Sequence, residues 1–307
     1  MSGPLFTAVN HLAVRAHDPD RLACFYAQAA ALQHWPLAQP LPGAEDALAL
    51  AAPNAGLLLM PTPARPQRRP VSEAGFAHLC LQAVDAVALY DAHAAAGAQF
   101  HAPLTDLGTG FLYGYARDIE FNVVELEGVP PVVEMAQPWL AHVNLACADL
   151  SRQVDFYAAL LGTPAQRSPR FGGDPRLDRI AGIEGAVFRM AWVHAGNLQL
   201  EFIHYSAPAD AASGLPSTRR AAGTTGIAHI AFEVTNLARA IERLQSLGGA
   251  LISRDAESAV CEDPEGNTLR LLAPALLERC GAQVARLSCP DITPRLAAAR
   301  AALQGAS

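Results

Sequence analysis

Four histidines recur in four versions of one phrase, a histidine entering a run of apolar residues. The copies are Asn10-His11-Leu12-Ala13-Val14, Ala77-His78-Leu79-Cys80-Leu81, Ala141-His142-Val143-Asn144-Leu145 and Ala228-His229-Ile230-Ala231-Phe232. Imidazoles at the starts of equivalent strands can meet in pairs, and paired imidazoles are half of a metal site. Carboxylates complete such a site, and two stand among apolar residues late in their units: Glu125 in Val123-Val124-Glu125-Leu126 and Glu201 in Leu200-Glu201-Phe202. Burying a carboxylate there is costly unless it is paired or metal-bound. Unit four has Arg270 at the matching place, and unit one offers only Leu59-Met60-Pro61. A single strand-start histidine is more often a packing residue, but repetition at matched positions weighs against that. Imidazole with carboxylate suits Ni, Zn, Mn, Co or Fe(II) and argues against copper or a thiolate-held ion.

Strand parity places Phe111, Tyr113 and Tyr115 on one face, and likewise Phe188, Met190 and Trp192. Tyr113, Tyr115, Met190 and Trp192 are therefore candidates for a substrate pocket, although such stripes are also common in plain cores. Arg270, at an inward strand end, needs an anion: a substrate carboxylate or the nearby acid Glu233. No GxSxG nucleophile motif occurs, and no GxGxxG or GxxxxGK loop offers a nucleotide cofactor site.

Each histidine phrase is followed by a helical stretch and then by further strands. Asp18-Pro19-Asp20 opens the first helix, with Leu22, Phe25, Tyr26 and Ala29 at helical spacing. Val84 through Ala96 forms the second, ended by Gly97, and Asp149-Leu150-Ser151 leads into the third, ended by Gly162. Leu237–Leu247 forms the fourth, before Gly248-Gly249. Strand, helix and several strands in four copies is an internal repeat. One such unit cannot bury its own apolar sheet face. The expected fold is α+β, with four βαβββ modules paired into two cupped, barrel-like mixed sheets and helices outside. The expected N-terminal domain is 1–130, with modules 6–62 and 73–128, and the C-terminal domain is 138–275, with modules 138–206 and 226–274. Residues 206–226 read as a linker and 276–307 as a tail, helical around Leu296–Leu303.

The 307 residues, 51% hydrophobic, can bury a large core, and two domains are natural. A net charge of −7 without a basic stripe argues against nucleic acid. No run is long enough to cross a bilayer, and Met1 to Leu5 lacks a basic segment leading into an apolar one, so a cytoplasmic protein is expected. The six cysteines form no CxxC pair and read as buried small hydrophobes in a reducing compartment, with Cys280 and Cys289 nearer the surface. The expected partner is a small molecule, and the expected state is a monomer or homodimer.

The chain resembles the vicinal oxygen chelate superfamily of glyoxalases, extradiol dioxygenases and bleomycin resistance proteins over residues 6 to 274. The resemblance rests on His142 with Asp149-Leu150 and Phe156-Tyr157, and on Ile227-Ala228-His229-Ile230-Ala231-Phe232 with Asp263-Pro264-Glu265-Gly266-Asn267. It implies that first-strand histidines and last-strand glutamates bind a divalent metal. A glyoxalase-like pairing of modules two and three implies the ligands His78, Glu125, His142 and Glu201, with a degenerate counterpart around His11 and His229. An extradiol-like pairing of sequence neighbours implies two sets, His11, His78, Glu125 and His142, Glu201, His229. The chemistry implied is a lyase or isomerase reaction on a substrate with vicinal oxygens, through an enediolate, with Glu125 or Glu201 moving the proton. The alternatives are an Fe(II) ring-cleaving dioxygenase and a metal-free binding or drug-resistance protein.

Overall fold

The computed structural model describes residues 3–129, 137–208 and 223–284. The helix expected around Leu296–Leu303 and most of the expected linker lie outside the described residues.

Module one runs β1 (Phe6–Ala16), α1 (Pro19–Ala30), β2 (Gln33–His34), β3 (Leu48–Ala51) and β4 (Gly56–Pro61). Module two runs β5 (Gly75–Ala83), α2 (Ala86–Ala95), β6 (Gln99–Phe100), β7 (Thr105–Asp106), β8 (Leu112–Arg117) and β9 (Val123–Gly128). Module three runs β10 (Trp139–Ala146), α3 (Leu150–Leu161), β11 (Ala165–Phe171), α4 (Pro175–Ala181), β12 (Val187–His194) and β13 (Gln199–Ala207). Module four runs β14 (Gly226–Val234), α5 (Leu237–Ser246), β15 (Ala250–Arg254), β16 (Ser258–Glu262) and β17 (Thr268–Leu272), and α6 (Pro274–Cys280) follows. The repeat extends to the helix starts. Asp18, Asp85, Asp149 and Asn236 each cap a first turn by accepting from the backbone N–H three residues on.

Within each module the last strand lies parallel to the first, so a strand-start histidine and a strand-end residue become neighbours. Modules then join through their first strands. β1 pairs antiparallel with β14, and β5 with β10. One sheet therefore has the order β15-β16-β17-β14-β1-β4-β3-β2, and the other β11-β12-β13-β10-β5-β9-β8-β6. Each sheet draws one module from either half of the chain.

The cupped, barrel-like closure expected from the sequence is not found. Both sheets are open, ending on unpaired edges β15 and β2 in one and β11 and β6 in the other. Joining modules through their first strands puts these outer strands at opposite ends of a long ladder, and β2 and β6 are only two residues each. The helices pack on the sheet faces turned away from the histidines. Residues of α1, α2, α3 and α5 share one apolar core with residues of both sheets, such as Leu12, Leu57, Leu79 and Leu145.

Two matching turns clip the two sheets together, each joining the two modules of one half. In Asp118-Ile119-Glu120-Phe121-Asn122, the Asp118 carboxylate accepts from Tyr26 Oη at 2.8 Å, and Glu120 accepts from the backbone N–H groups of His17 and Asp18 before α1. In Asp263-Pro264-Glu265-Gly266-Asn267, Asp263 accepts from Tyr157 Oη at 2.9 Å, and Glu265 accepts from Ala148 and Asp149 before α3. Buried Cys80, Cys147 and Cys261 match expectation, but Cys24 is exposed and Cys280, at the end of α6, is buried. Among the described residues no helix is long and apolar enough to cross a membrane.

Candidate metal centre

The sheet register assembles the site. Across β9, β5 and β10, Glu125 stands opposite Cys80, and Cys80 opposite His142. One step along, His78 stands opposite Asn144, and Asn144 opposite Glu201. Residues directly opposite on neighbouring strands share a face, and so do residues two apart on one strand. All four ligand-type side chains therefore project from the same face, each glutamate in the row of the other module's histidine.

The four converge closely. His78 Nε2 and His142 Nε2 are 3.3 Å apart. Glu125 Oε2 lies 3.1 Å from His78 Nε2 and 2.8 Å from His142 Nε2. Glu201 Oε2 lies 3.4 Å from each of the two nitrogens. All four donor atoms fall within 4.8 Å of one another, and all four residues are buried. Adjacent ligands on an ion with bonds of about 2.1 Å stand about 3.0 Å apart in an octahedron and about 3.4 Å apart in a tetrahedron. The observed spacings match that range, so the donor set fits a divalent cation.

The surroundings fix the carboxylates unequally. Glu201 Oε1 accepts from Trp192 Nε1 at 2.9 Å, and its Oε2 accepts from Asn144 Nδ2 at 3.1 Å. Among the described residues, Glu125 is held through Oε2 by the two histidines. Burial pulls His142 towards neutrality, but the charges of Glu201 and Glu125 outweigh it and raise its pKa to about 9. Burial likewise opposes the raised pKa of His78, which Glu125 and Glu201 sustain. Glu125 is pushed up by burial and pulled further down by His142 and His78, to about 2.

Of the expected pocket residues, Tyr115 and Trp192 flank the site directly. Tyr115 pairs with Glu125 across β8 and β9, its ring 4.8 Å from that of His78, and Trp192 pairs with Glu201. Tyr113 and Met190 sit further out, packed against the apolar cluster of Tyr115, Phe188, Ile203 and Tyr205. Ile180, Ala181 and Ile183, on and after α4, belong to the same cluster and roof this face. Apolar periodicity does not mark β11 or α4. Asn144 and Glu127 also escaped the sequence reading, although each stands two residues beyond a candidate ligand, the one spacing that predicts a shared face.

Arg270 is not part of this pocket. It lies on β17 in the other sheet, because module four joins module one. Its partner is not Glu233, which accepts from Asn10 Nδ2 and Val284 N; Arg270 Nη1 instead donates to the Pro42 carbonyl at 2.6 Å. His11 and His229 meet each other, Nε2 to Nε2 at 3.3 Å. The neighbour sets His11, His78, Glu125 and His142, Glu201, His229 are thus not brought together.

Comparison with known families agrees with this arrangement. A model of the Glyoxalase/Bleomycin resistance protein/Dioxygenase superfamily matches residues 8–126, and a model of the glyoxalase-like domain matches residues 142–272. The chain belongs to the vicinal oxygen chelate superfamily. Among solved superfamily structures, glyoxalase I from Zea mays is similar at 16% identity and a TM-score of 0.63, covering 89% of this chain and 94% of that one. A putative dioxygenase from Bacillus subtilis is similar at 13% identity and a TM-score of 0.56, covering 94% and 98%. These likenesses describe the fold. No curated protein matches the chain.

Proposed function

We propose that this protein is a metal-dependent lyase or isomerase acting on a small molecule with two vicinal oxygens. The observation that carries this reading is the buried convergence of His78, Glu125, His142 and Glu201 within 4.8 Å. These four residues would hold one divalent ion of the Ni, Zn, Mn, Co or Fe(II) group. When bound, such an ion would polarise the neighbouring substrate oxygens and so favour loss of the proton on the hydroxyl-bearing carbon next to the carbonyl.

The protein's own part is to move that proton. Glu201 is tied through both oxygens, to Trp192 and to Asn144. Glu125 accepts through Oε2 only, which leaves Oε1 as the acceptor for a substrate proton. Burial pushes this carboxyl upward, and the imidazoles of His142 and His78 hold it acidic in the metal-free protein. Tyr115 and the roof residues Ile180 and Ile183 keep water from this face. A two-histidine, one-carboxylate set would suit an iron dioxygenase better than a set with two carboxylates does.

The test is proton exchange in deuterated water. Metal-loaded protein should exchange the proton on the hydroxyl-bearing carbon of a simple α-hydroxyketone, followed by NMR, and Glu125→Gln should slow this by about 100-fold or more. Exchange that is unaffected by Glu125→Gln or by chelation would overturn the reading.

A further inference from the structure

The second sheet repeats the register of the metal centre with different chemistry. His11, Ala231 and Arg270 form one row across β1, β14 and β17, as His78, Asn144 and Glu201 do in the other sheet. Leu58 stands opposite Ala13, which stands opposite His229, as Glu125, Cys80 and His142 do. The two carboxylates of the metal centre are thus replaced by Leu58 and Arg270. The histidine pair itself is kept, with ring centroids 5.5 Å apart in both sheets. Burial, reinforced by Arg270, drives His11 down to about 3 and His229 well below its usual value, so both imidazoles are neutral. The neutral imidazoles could ligate a metal, but the Arg270 guanidinium in a carboxylate's place repels a cation.

A cavity of about 600 Å³ opens beside this pair, lined by His229, Arg270, Arg15, Phe76, Ile227 and Val260 among others. Neither arginine has an ion-pair partner within 4.0 Å among the described residues, and Arg270 Nε is buried without a hydrogen-bond partner. The carboxylates around them are accounted for differently. Glu265 is committed to the N–H groups of Ala148 and Asp149, Glu262 is on the cavity wall, and Glu45 and Asp255 attract Arg270 from the surface. Arg270 is also built in. It donates to the Pro42 carbonyl, and a Cβ at Gly43, where φ is +69°, would collide with its guanidinium.

We infer that this cavity is a second, metal-free binding site for an organic anion, a carboxylate or phosphate head held by Arg270 and Arg15 with an apolar body against Phe76, Ile227 and Val260. The volume suits a small organic ligand, and paired guanidiniums suit a planar or tetrahedral oxyanion. The site is independent of the metal reading.

The test uses the purified full-length protein and three probes of one shape, 1-naphthoate, 1-naphthyl phosphate and neutral 1-naphthamide, titrated calorimetrically. One or both anions should bind with one-to-one stoichiometry and at least about tenfold more tightly than the amide. The stronger of the two identifies the head group. Arg15→Gln and Arg270→Lys should each weaken the anion about tenfold or more, while His142→Ala should leave it unchanged. Thermal melts of each variant report folding, and Arg15→Gln, at a side chain with no ion-pair partner among the described residues, keeps the test open if Arg270→Lys unfolds. Equal affinity for anion and amide, no binding of either anion, or loss of binding in His142→Ala with retention in Arg15→Gln would overturn the inference.

Discussion

His78 and His142 bring their Nε2 atoms to 3.3 Å although 64 residues separate them. The antiparallel pairing of β5 with β10 makes this possible, since it sets Cys80 opposite His142 and His78 opposite Asn144. Metal content should therefore depend on these two histidines and not on the other pair. His78→Ala or His142→Ala should abolish stoichiometric metal in protein measured by plasma mass spectrometry, whereas His11→Ala and His229→Ala should leave it intact. Metal retained in His142→Ala and lost in His229→Ala would reject the centre as drawn.

Metal affinity should rise with pH. In metal-free protein His142 carries its proton up to about pH 9, because Glu201 and Glu125 overcome the effect of burial. That proton must leave before the nitrogen can ligate, so affinity should climb about tenfold per pH unit between 7 and 9. Competition with a chromophoric chelator at several pH values measures this, and a flat profile would contradict it. The same raised pKa has a stability consequence with the opposite slope. Stabilisation from protonated His142 is fully present below its unfolded value of about 6.5 and is lost as pH rises through about 9. Chelator-treated protein should thus melt lower at pH 9 than at pH 7, and metal-loaded protein should resist that fall.

Trp192→Phe should weaken the centre without disturbing the fold. The indole N–H fixes Glu201 Oε1 at 2.9 Å, and the phenyl ring keeps most of the apolar contact. Removing such a supporting hydrogen bond costs about 10–100-fold in metal affinity. Isothermal titration should show that loss with a melting temperature within a few degrees of the parent.

The four histidines and two glutamates were legible because chemistry and repeat period coincide there. Which histidines meet was not. Pairing is decided by hydrogen bonds between β1 and β14 and between β5 and β10, elements far apart in sequence that share the same local pattern. The parallel register of β1 with β4 makes Leu58 the residue matching Glu125 in module one, rather than any of Leu59-Met60-Pro61. Arg270 was recognised as an arginine in a glutamate's place, but its partner is a backbone carbonyl of Pro42, which no side-chain motif announces. The roof over the metal centre was invisible for a related reason. Arg167, Pro169 and Arg170 interrupt any apolar alternation in β11, an edge strand where proline and charge are tolerated.

The buried helix tyrosine that donates to each clipping turn should be measurably stabilising. Tyr157→Phe leaves the Asp263 carboxylate, 4% exposed, one donor short while Gln153 Nε2 and Asn267 Nδ2 still donate to it. A hydrogen bond to a charged group contributes about 1.5–3 kcal/mol. Urea unfolding should show a loss in that range, and Tyr26→Phe at the matching Asp118 turn should behave alike. No change in either variant would mean that these turns do not hold the two sheets together.

The register also predicts how to build a second metal centre. His11 and His229 already have the 3.3 Å Nε2 separation of His78 and His142. Leu58 and Arg270 occupy the places of Glu125 and Glu201. Leu58→Glu with Arg270→Glu should therefore raise metal content from one ion per chain towards two. Two buried carboxylates without a cation are costly, so the double variant should melt below the parent when metal-free and recover when metal is added. Its new site should bind about 10–100-fold more weakly than the native one, because Ala231 and Val260 stand where Asn144 and Trp192 secure Glu201. Adding Ala231→Asn restores one of those donors and should recover part of the difference. A double variant that folds, keeps one ion and shows no metal-dependent rise in melting temperature would show that backbone register alone does not make the two sheets equivalent.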